Sequence, residues 1–182
     1  MSAAGRAGAR ANIRAVTRPT ARRAGEGDAS AVAALLAEFQ DVFEEGRPDD
    51  ETLRVGVRRL MDGGDAEFFL VGEPPVGIAV ARFRWSLMFQ CDDAYLEDLY
   101  VRAPHRRQGY GRALLEAVFA RTRERGGVYI ELGASAADVE AVAFYDALGF
   151  TYRAQGPEGP PTRVYARWVA EPPAWQRGAW PL

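Results

Sequence analysis

Three groups of side chains in this 182-residue sequence could do chemistry. Glu97 and Asp98 are adjacent acids inside the apolar run "AYLEDLYV" (94–101), where a carboxylate can accept a proton from a substrate. The segment "HRRQGYGR" (105–112) follows and leads into a helical pattern. The first backbone N–H groups of a helix have no internal partner and lie at its positive end, so they accept an anion such as phosphate. Gly109 and Gly111 allow close backbone approach, and Arg106, Arg107 and Arg112 add charge-assisted donors. The third group is Tyr145 in "AFYDALGF" (143–150). Its phenol can donate a proton, although its spacing equally fits a core aromatic on an amphipathic helix.

Several chemistries are excluded. The P-loop pattern needs a lysine and the sequence has none. The dinucleotide pattern G-x-G-x-x-G fails at Leu114. One histidine, His105, and one cysteine, Cys91, cannot form a metal cluster, and no carboxylate spacing calls for a metal. Cys91 has no histidine near it in sequence to activate it as a nucleophile.

These residues need a scaffold. "NIRAVTR" (12–18) alternates and predicts a first strand. Asp28 predicts the N-cap of a helix with Val32, Leu35, Leu36, Phe39 and Phe43 at helical spacing, and Gly46-Arg47-Pro48 ends it. Residues 49–64 predict a second helix, capped by Asp49 or Asp50 and facing inward through Leu53, Val57 and Leu60. Strands are expected at "AEFFLVGE" (66–73), "VGIAVARFRWSLMF" (76–89) and 94–101, with a turn at Cys91-Asp92-Asp93. A helix over 109–127, a strand "VYIELGA" (128–134), a helix over 138–150 and a strand "RVYARWV" (163–169) complete the chain. The order β-α-α-β-β-β-α-β-α-β implies an α/β fold with a mixed sheet and helices on both faces.

Composition bounds the rest. Length suits one domain with a sizeable core. The single cysteine rules out an internal disulfide and favours a reducing, cytoplasmic compartment. No apolar run is long enough to span a bilayer, and the Ala/Gly/Arg-rich start lacks the apolar centre of a signal peptide. All 23 basic residues are arginine. Six lie in residues 1–23, leaving 17 against 25 acids in the remainder. A body that acidic does not suit nucleic acid and could suit a cationic small molecule. Residues 1–11 read as a disordered basic tail, 12–169 as one catalytic domain and 170–182 as a Pro/Trp-rich tail.

The motif Arg106-Arg107-Gln108-Gly109-Tyr110-Gly111 resembles motif A (R/Q-x-x-G-x-G/A) of the GNAT superfamily of N-acetyltransferases. "AFYDALGF" is similar to that family's second signature, and "YLEDLYV" to the matching strand of diamine (spermidine/spermine) N-acetyltransferases. The resemblance covers about residues 12–169. It implies a mostly antiparallel mixed sheet of about six to seven strands. It also implies acetyl-CoA as co-substrate. The pyrophosphate would lie on the N–H groups of 107–112, with Arg106, Arg107, Gln108, Gly109, Tyr110, Gly111 and Arg112 around it. The pantetheine arm would run along the strand edge at Leu99, Tyr100 and Val101. Asp138 stands where members often have an asparagine that contacts this arm, and it fits equally as a helix N-cap.

In this scheme Glu97 is the first candidate for the general base and Asp98 the second, with Asp98 otherwise binding the acceptor. Strand alternation predicts that only one of the two faces the cleft. The alternative for both is a solvated strand end or an arginine salt bridge. The Val101 N–H would meet the developing oxyanion, and Tyr145 would protonate the departing thiolate. Trp85 and Phe89 would offer aromatic faces to a cationic acceptor, flanked by Glu44, Glu45, Asp49, Asp50, Asp92 and Asp93. The bland reading of those acids is helix caps and turns. The expected partner is a small-molecule amine, with no nucleic acid and no membrane, and the resemblance implies a homodimer. The alternatives are an aminoglycoside-type or protein N-acetyltransferase, or a non-catalytic acyl-CoA-binding sensor.

Overall fold

A computed structural model describes residues 18–42, 46–64 and 66–153, with Glu158 and Pro161. Its strands are β1 (Ala21–Arg23), β2 (Ala66–Val71), β3 (Gly77–Ser86), β4 (Cys91–Val101) and β5 (Ile130–Leu132). Its helices are α1 (Ala29–Asp41), α2 (Asp50–Gly63), α3 (Tyr110–Glu124) and α4 (Val139–Asp146). The sheet runs β1-β2-β3-β4-β5, antiparallel except for the β4–β5 pair.

Side-chain alternation sorts the strand residues onto two faces. Phe68, Leu70, Ile78, Val80 and Tyr100 pack under α1 and α2 with Val32, Leu35 and Val57. Phe69, Val71, Ala79, Ala81 and Leu96 pack under α3 with Leu114, Leu115 and Val118. Each large side chain buried this way contributes about 1.5–3 kcal/mol. The middle strands, covered on both faces, are therefore the rigid base for anything carried on β4.

The helices start and stop largely where their caps require. Asp49 accepts the Thr52 N–H at 2.8 Å, and Gly64 closes α2 in the left-handed region. Asp28 holds the N-cap position of α1, but its carboxylate turns back to the Gly25 N–H and to Arg22, both within 2.8 Å, instead of capping.

Two expectations shift. The first described strand is Ala21–Arg23; Arg18 is not in a strand, and 12–17 lie outside the described residues. Its signal is weak because Arg22 and Arg23 are held by ion pairs to Asp28 and Glu67, not by burial. The turn between β3 and β4 is Leu87–Gln90, not Cys91–Asp93. Trp85 pairs with Asp92 and Ser86 with Cys91, so the apolar Leu87, Met88 and Phe89 form the turn itself. Among the described residues the sheet has five strands. The predicted strand 163–169, Phe43, Glu44, Glu45 and both tails lie outside them.

Candidate active site

The register of β4 on β3 breaks at one step. Val80 pairs with Asp98 and Ala81 with Leu96, so Glu97 is an extra, bulged residue. The bulge changes which residues share a face. Leu96 and Leu99, three apart, both enter the core under α3. Asp98 stands opposite Val80 and two residues before Tyr100, on the α1/α2 side. Glu97 reaches Arg82 on that same side, at 2.7 and 3.4 Å. Both carboxylates therefore face one way, which corrects the expectation from simple alternation.

Their environments differ. Glu97 is exposed and its oxygens are committed to Arg82. Asp98 is mostly buried. That burial, and next the Glu97 charge, push its carboxyl up to about 6, with Arg82 pulling the other way. A carboxyl titrating near neutrality can take and return a proton at working pH.

The same bulge sets the backbone. The Arg102 N–H bonds to Val76 O at 3.0 Å, so toward β3 the hydrogen-bonding positions of this stretch are Arg102 and Tyr100. The N–H groups of Leu99 and Val101 point to the opposite edge. Strand β5 pairs only with Ala94–Leu96, leaving that edge open among the described residues from Glu97 onward. The two parallel strands thus separate beside two outward N–H groups. Arg102 pins this end of β4 through a bidentate pair to Glu38 of α1, both bonds 2.7 Å, and a bond to Pro75 O at 3.1 Å.

Beyond β4 the chain turns into α3. Arg106 donates to Val101 O at 3.0 Å and Gln108 to Pro104 O at 2.9 Å. Gly109, at φ 87°, occupies the left-handed region that glycine adopts without strain, and Arg107 shares it at φ 62°. The first in-helix donor is Ala113, bonding Gly109 O at 3.0 Å. The N–H groups of Tyr110, Gly111 and Arg112 are therefore free of helix carbonyls. A Cβ on Gly111 would lie 3.3 Å from the Phe144 ring, so this glycine lets α3 approach α4.

Helix α4 carries Tyr145. Its ring packs edge-on against Phe144 and Phe150, with centroids at 5.4 and 5.5 Å. Burial first, then the charges of Asp138 and Asp98, push its phenol up to about 12. Tyr145 is thus both a packed aromatic and a phenol that feels the Asp98 carboxylate.

A bulged strand beside a parallel neighbour, a helix start whose first N–H groups lack helix carbonyls and a tyrosine on α4 occur together here. The model of the acetyltransferase (GNAT) family matches residues 32–150. The chain belongs to this family. A structure assigned as an acetyltransferase from Arthrobacter sp. FB24 superposes with TM-score 0.75 at 36% identity, covering 88% of this chain and 99% of that one. The thialysine N-epsilon-acetyltransferase of Caenorhabditis elegans is 28% identical over 115 residues, 63% of this chain and 70% of that protein. An aminoglycoside acetyltransferase from an uncultured soil metagenomic sample, in complex with sisomicin, shares the fold at 22% identity and TM-score 0.67, over 84% and 97% of the two chains. The [ribosomal protein bS18]-alanine N-acetyltransferase of Escherichia coli K12 is 39% identical, but only over 59 residues, 32% of this chain and 40% of that protein.

Other expected residues of this GNAT chain fall elsewhere. Asp138 is the N-cap of α4, its carboxylate accepting the Ala141 N–H at 3.0 Å. The Tyr100 side chain is core, 5.5 Å from the Phe39 ring; only its backbone lies along β4. Trp85 and Phe89 are not brought to the carboxylates. They lie at the tip of the β3–β4 hairpin, and at about 3.4 Å per residue the Asp92 partner of Trp85 is roughly 17 Å along the strand from Glu97. The nearby acids are engaged: Asp92 with Arg125, Asp93 with Arg84, Asp50 with Arg47. His105 stands edge-on to Tyr110, 5.8 Å away. No metal cluster occurs among the described residues. The sequence reading missed Arg82, Arg102 and Glu38. The pairs Arg82–Glu97 and Glu38–Arg102 carried no signal because their partners are 15 and 64 residues apart.

Proposed function

We propose that this GNAT N-acetyltransferase passes the acetyl group of acetyl-CoA directly to a primary amine of a small cationic acceptor, with Asp98 taking the amine proton. The observation that carries this reading is the bulge, which sets a mostly buried carboxyl, pushed up to about 6, one and three residues before the outward N–H groups of Leu99 and Val101.

The residues present fit the co-substrate. The pyrophosphate would lie on the N–H groups at the start of α3, with Arg106, Arg107, Gln108 and Arg112 exposed around it. The pantetheine arm, itself a chain of amides, would bond the open β4 edge at Leu99 and Val101. Bound acetyl-CoA supplies an acyl group activated as a thioester. The Val101 N–H would donate to the carbonyl oxygen as it gains charge. Asp98 makes the attacking amine neutral by accepting its proton. Tyr145 donates a hydrogen bond to the departing sulfur. With its phenol near 12 and a thiol near 8.5, complete transfer from Tyr145 is uphill, so a shared proton is the expected role. Protonation of Asp98 removes one of the charges that hold the Tyr145 proton. The two groups therefore act in sequence.

Glu97 fits the acceptor side. A substrate ammonium can replace Arg82 on its exposed carboxylate without desolvating a new charge. The relatives named for thialysine and aminoglycosides act on cationic amines, which supports this choice. Acetylation of a protein N-terminus is the second reading, resting on the 59-residue match to the ribosomal-alanine enzyme.

Incubating the chain with acetyl-CoA and an amine panel, read by mass spectrometry for one added acetyl group, tests this. Diamines, polyamines or aminoglycosides should turn over at least about tenfold faster than neutral or acidic amines, a difference of about 1.4 kcal/mol. The preference should shrink with salt, because exposed charges are screened over about 10 Å at 0.1 M. Anionic amines as the best acceptors would overturn the cationic assignment, and peptides with free N-termini as the best would favour the second reading. Binding of acetyl-CoA with no free CoA released by any amine would mark a sensor.

A further inference from the structure

Arg82 puts a cationic side chain where a cationic acceptor would need to put its own charge. On β3, Val80 packs on the α1/α2 side and Ala81 under α3, so alternation returns Arg82 to the α1/α2 side. Asp98 stands opposite Val80, which makes Arg82 its diagonal cross-strand neighbour, at a spacing of about 7–8 Å. The bulge brings Glu97 to the same side, where Arg82 holds it at 2.7 and 3.4 Å. One guanidinium thus faces two adjacent carboxyls, the exposed Glu97 and the mostly buried Asp98.

This pair differs from the ion pairs that hold the fold together. Glu67 is largely buried and takes Arg23, Arg121 and Arg125. Arg84 bridges Asp93 and Glu131. Arg102 adds a bond to Pro75 O to its bidentate hold on Glu38. Among the described residues Arg82 and Glu97 have only each other, with side chains 32% and 38% exposed. An exposed single pair is weak, and even at the strong end of its range it is open about one time in six. A second cation can therefore exchange with Arg82. Because Arg82 is tethered to β3, it remains a standing competitor at roughly millimolar effective concentration.

Product chemistry gives that competition a use. Transfer turns the reacting amine into a neutral amide, with its proton on Asp98. A second ammonium on the same molecule keeps its charge, and it would hold the product on Glu97. We propose that Arg82 is a specificity-determining residue, a tethered stand-in for the acceptor's second ammonium that yields Glu97 to a diamine-like acceptor and reclaims it to release the acetylated product. The inference rests on the cationic acceptor proposed above and adds a residue whose charge weakens the binding of both substrate and product. Its sign is unusual for a residue beside an active site, because removing it tightens binding.

Steady-state kinetics of the full-length chain with butanediamine and butylamine test it, at about pH 8, above the range in which Asp98 titrates. Arg82→Gln should lower KM for butanediamine about fivefold, and the inhibition constant of N-acetylbutanediamine by about the same factor. Butylamine has no second ammonium and should gain less than about twofold. Arg82→Lys keeps the charge and should stay close to wild type. In a Glu97→Gln background, adding Arg82→Gln should bring no gain for butanediamine. Damage to the fold does not tighten the binding of one acceptor and spare the other, so these readouts separate the proposal from a structural role. Arg82→Met retains the apolar stem without the charge, and it serves if Arg82→Gln does not fold. An unchanged or raised KM for butanediamine in a charge-free variant, with wild type still preferring the diamine, would overturn the proposal and leave the acceptor reading standing. A gain that persists without Glu97 would overturn it too. No preference for butanediamine over butylamine in wild type or in any variant would overturn both.

Discussion

Asp98→Asn should lower kcat by roughly 100- to 10,000-fold, the range lost when a positioned general base is removed. The substitution keeps shape and takes away only the ability to hold a proton. It should not unfold the chain, and the sign of the titration shows why. Asp98 is lifted from 3.8 to about 6 in the folded chain, first by burial and then by Glu97. The folded state therefore binds this proton more tightly than the unfolded state. That gain is complete below about pH 4 and is lost as pH rises through 6. At pH 8 the ionised carboxylate weakens the fold, and asparagine removes that charge. The melting temperature of Asp98→Asn at pH 8 should equal or exceed that of wild type while turnover collapses. A folded variant with wild-type kcat would remove Asp98 from the chemistry.

Tyr145→Phe should lower kcat by roughly 10- to 1000-fold, the lower part of the range for losing a proton donor. Phenylalanine preserves the edge-on packing with Phe144 and Phe150, so the core contribution of the ring is retained. Acetyl-CoA affinity should change little, because the hydroxyl is assigned to the departing sulfur and not to ground-state binding. The defect should shrink when the leaving thiol is made more acidic, since a better leaving group needs less help from a donor. Full activity in the variant, or a loss confined to KM, would return Tyr145 to a purely structural role.

Much of this was legible before any coordinates. The glycine and arginine turn announced a chain turning into a helix, and Gly109 adopts the left-handed conformation there just before α3 begins. The two-helix, three-strand order followed from changes of period that burial then confirms at Val32, Leu35, Ile78 and Val80. The bulge was not read, although its trace was present. Leu96 and Leu99 are both apolar at a spacing of three, which a regular strand cannot place on one face. Register with β3 is what turns that irregularity into a bulge, and register is a property of two strands. The Leu87–Gln90 turn was misplaced for a related reason: apolar residues were taken as strand, whereas pairing of Trp85 with Asp92 ends the strand first. Trp85 and Phe89 were expected at the acceptor because the resembled fold sets that strand beside the cleft, and the hairpin carries them to its far end. Long-range pairs such as Glu38 with Arg102 leave no local pattern at all.

The pH dependence of kcat/KM at saturating acetyl-CoA, measured for wild type, Asp98→Asn and Glu97→Gln with an acceptor amine of pKa near 10, separates the two carboxylates most directly. Wild-type kcat/KM should rise with pH through about 6, as Asp98 loses its proton. Glu97→Gln should retain that limb but move it to lower pH, because it removes a negative neighbour and leaves the Arg82 charge uncompensated. Asp98→Asn should have no such limb. If the limb survives in Asp98→Asn and vanishes in Glu97→Gln, then Glu97 is the base and the assignment made from the bulge is wrong.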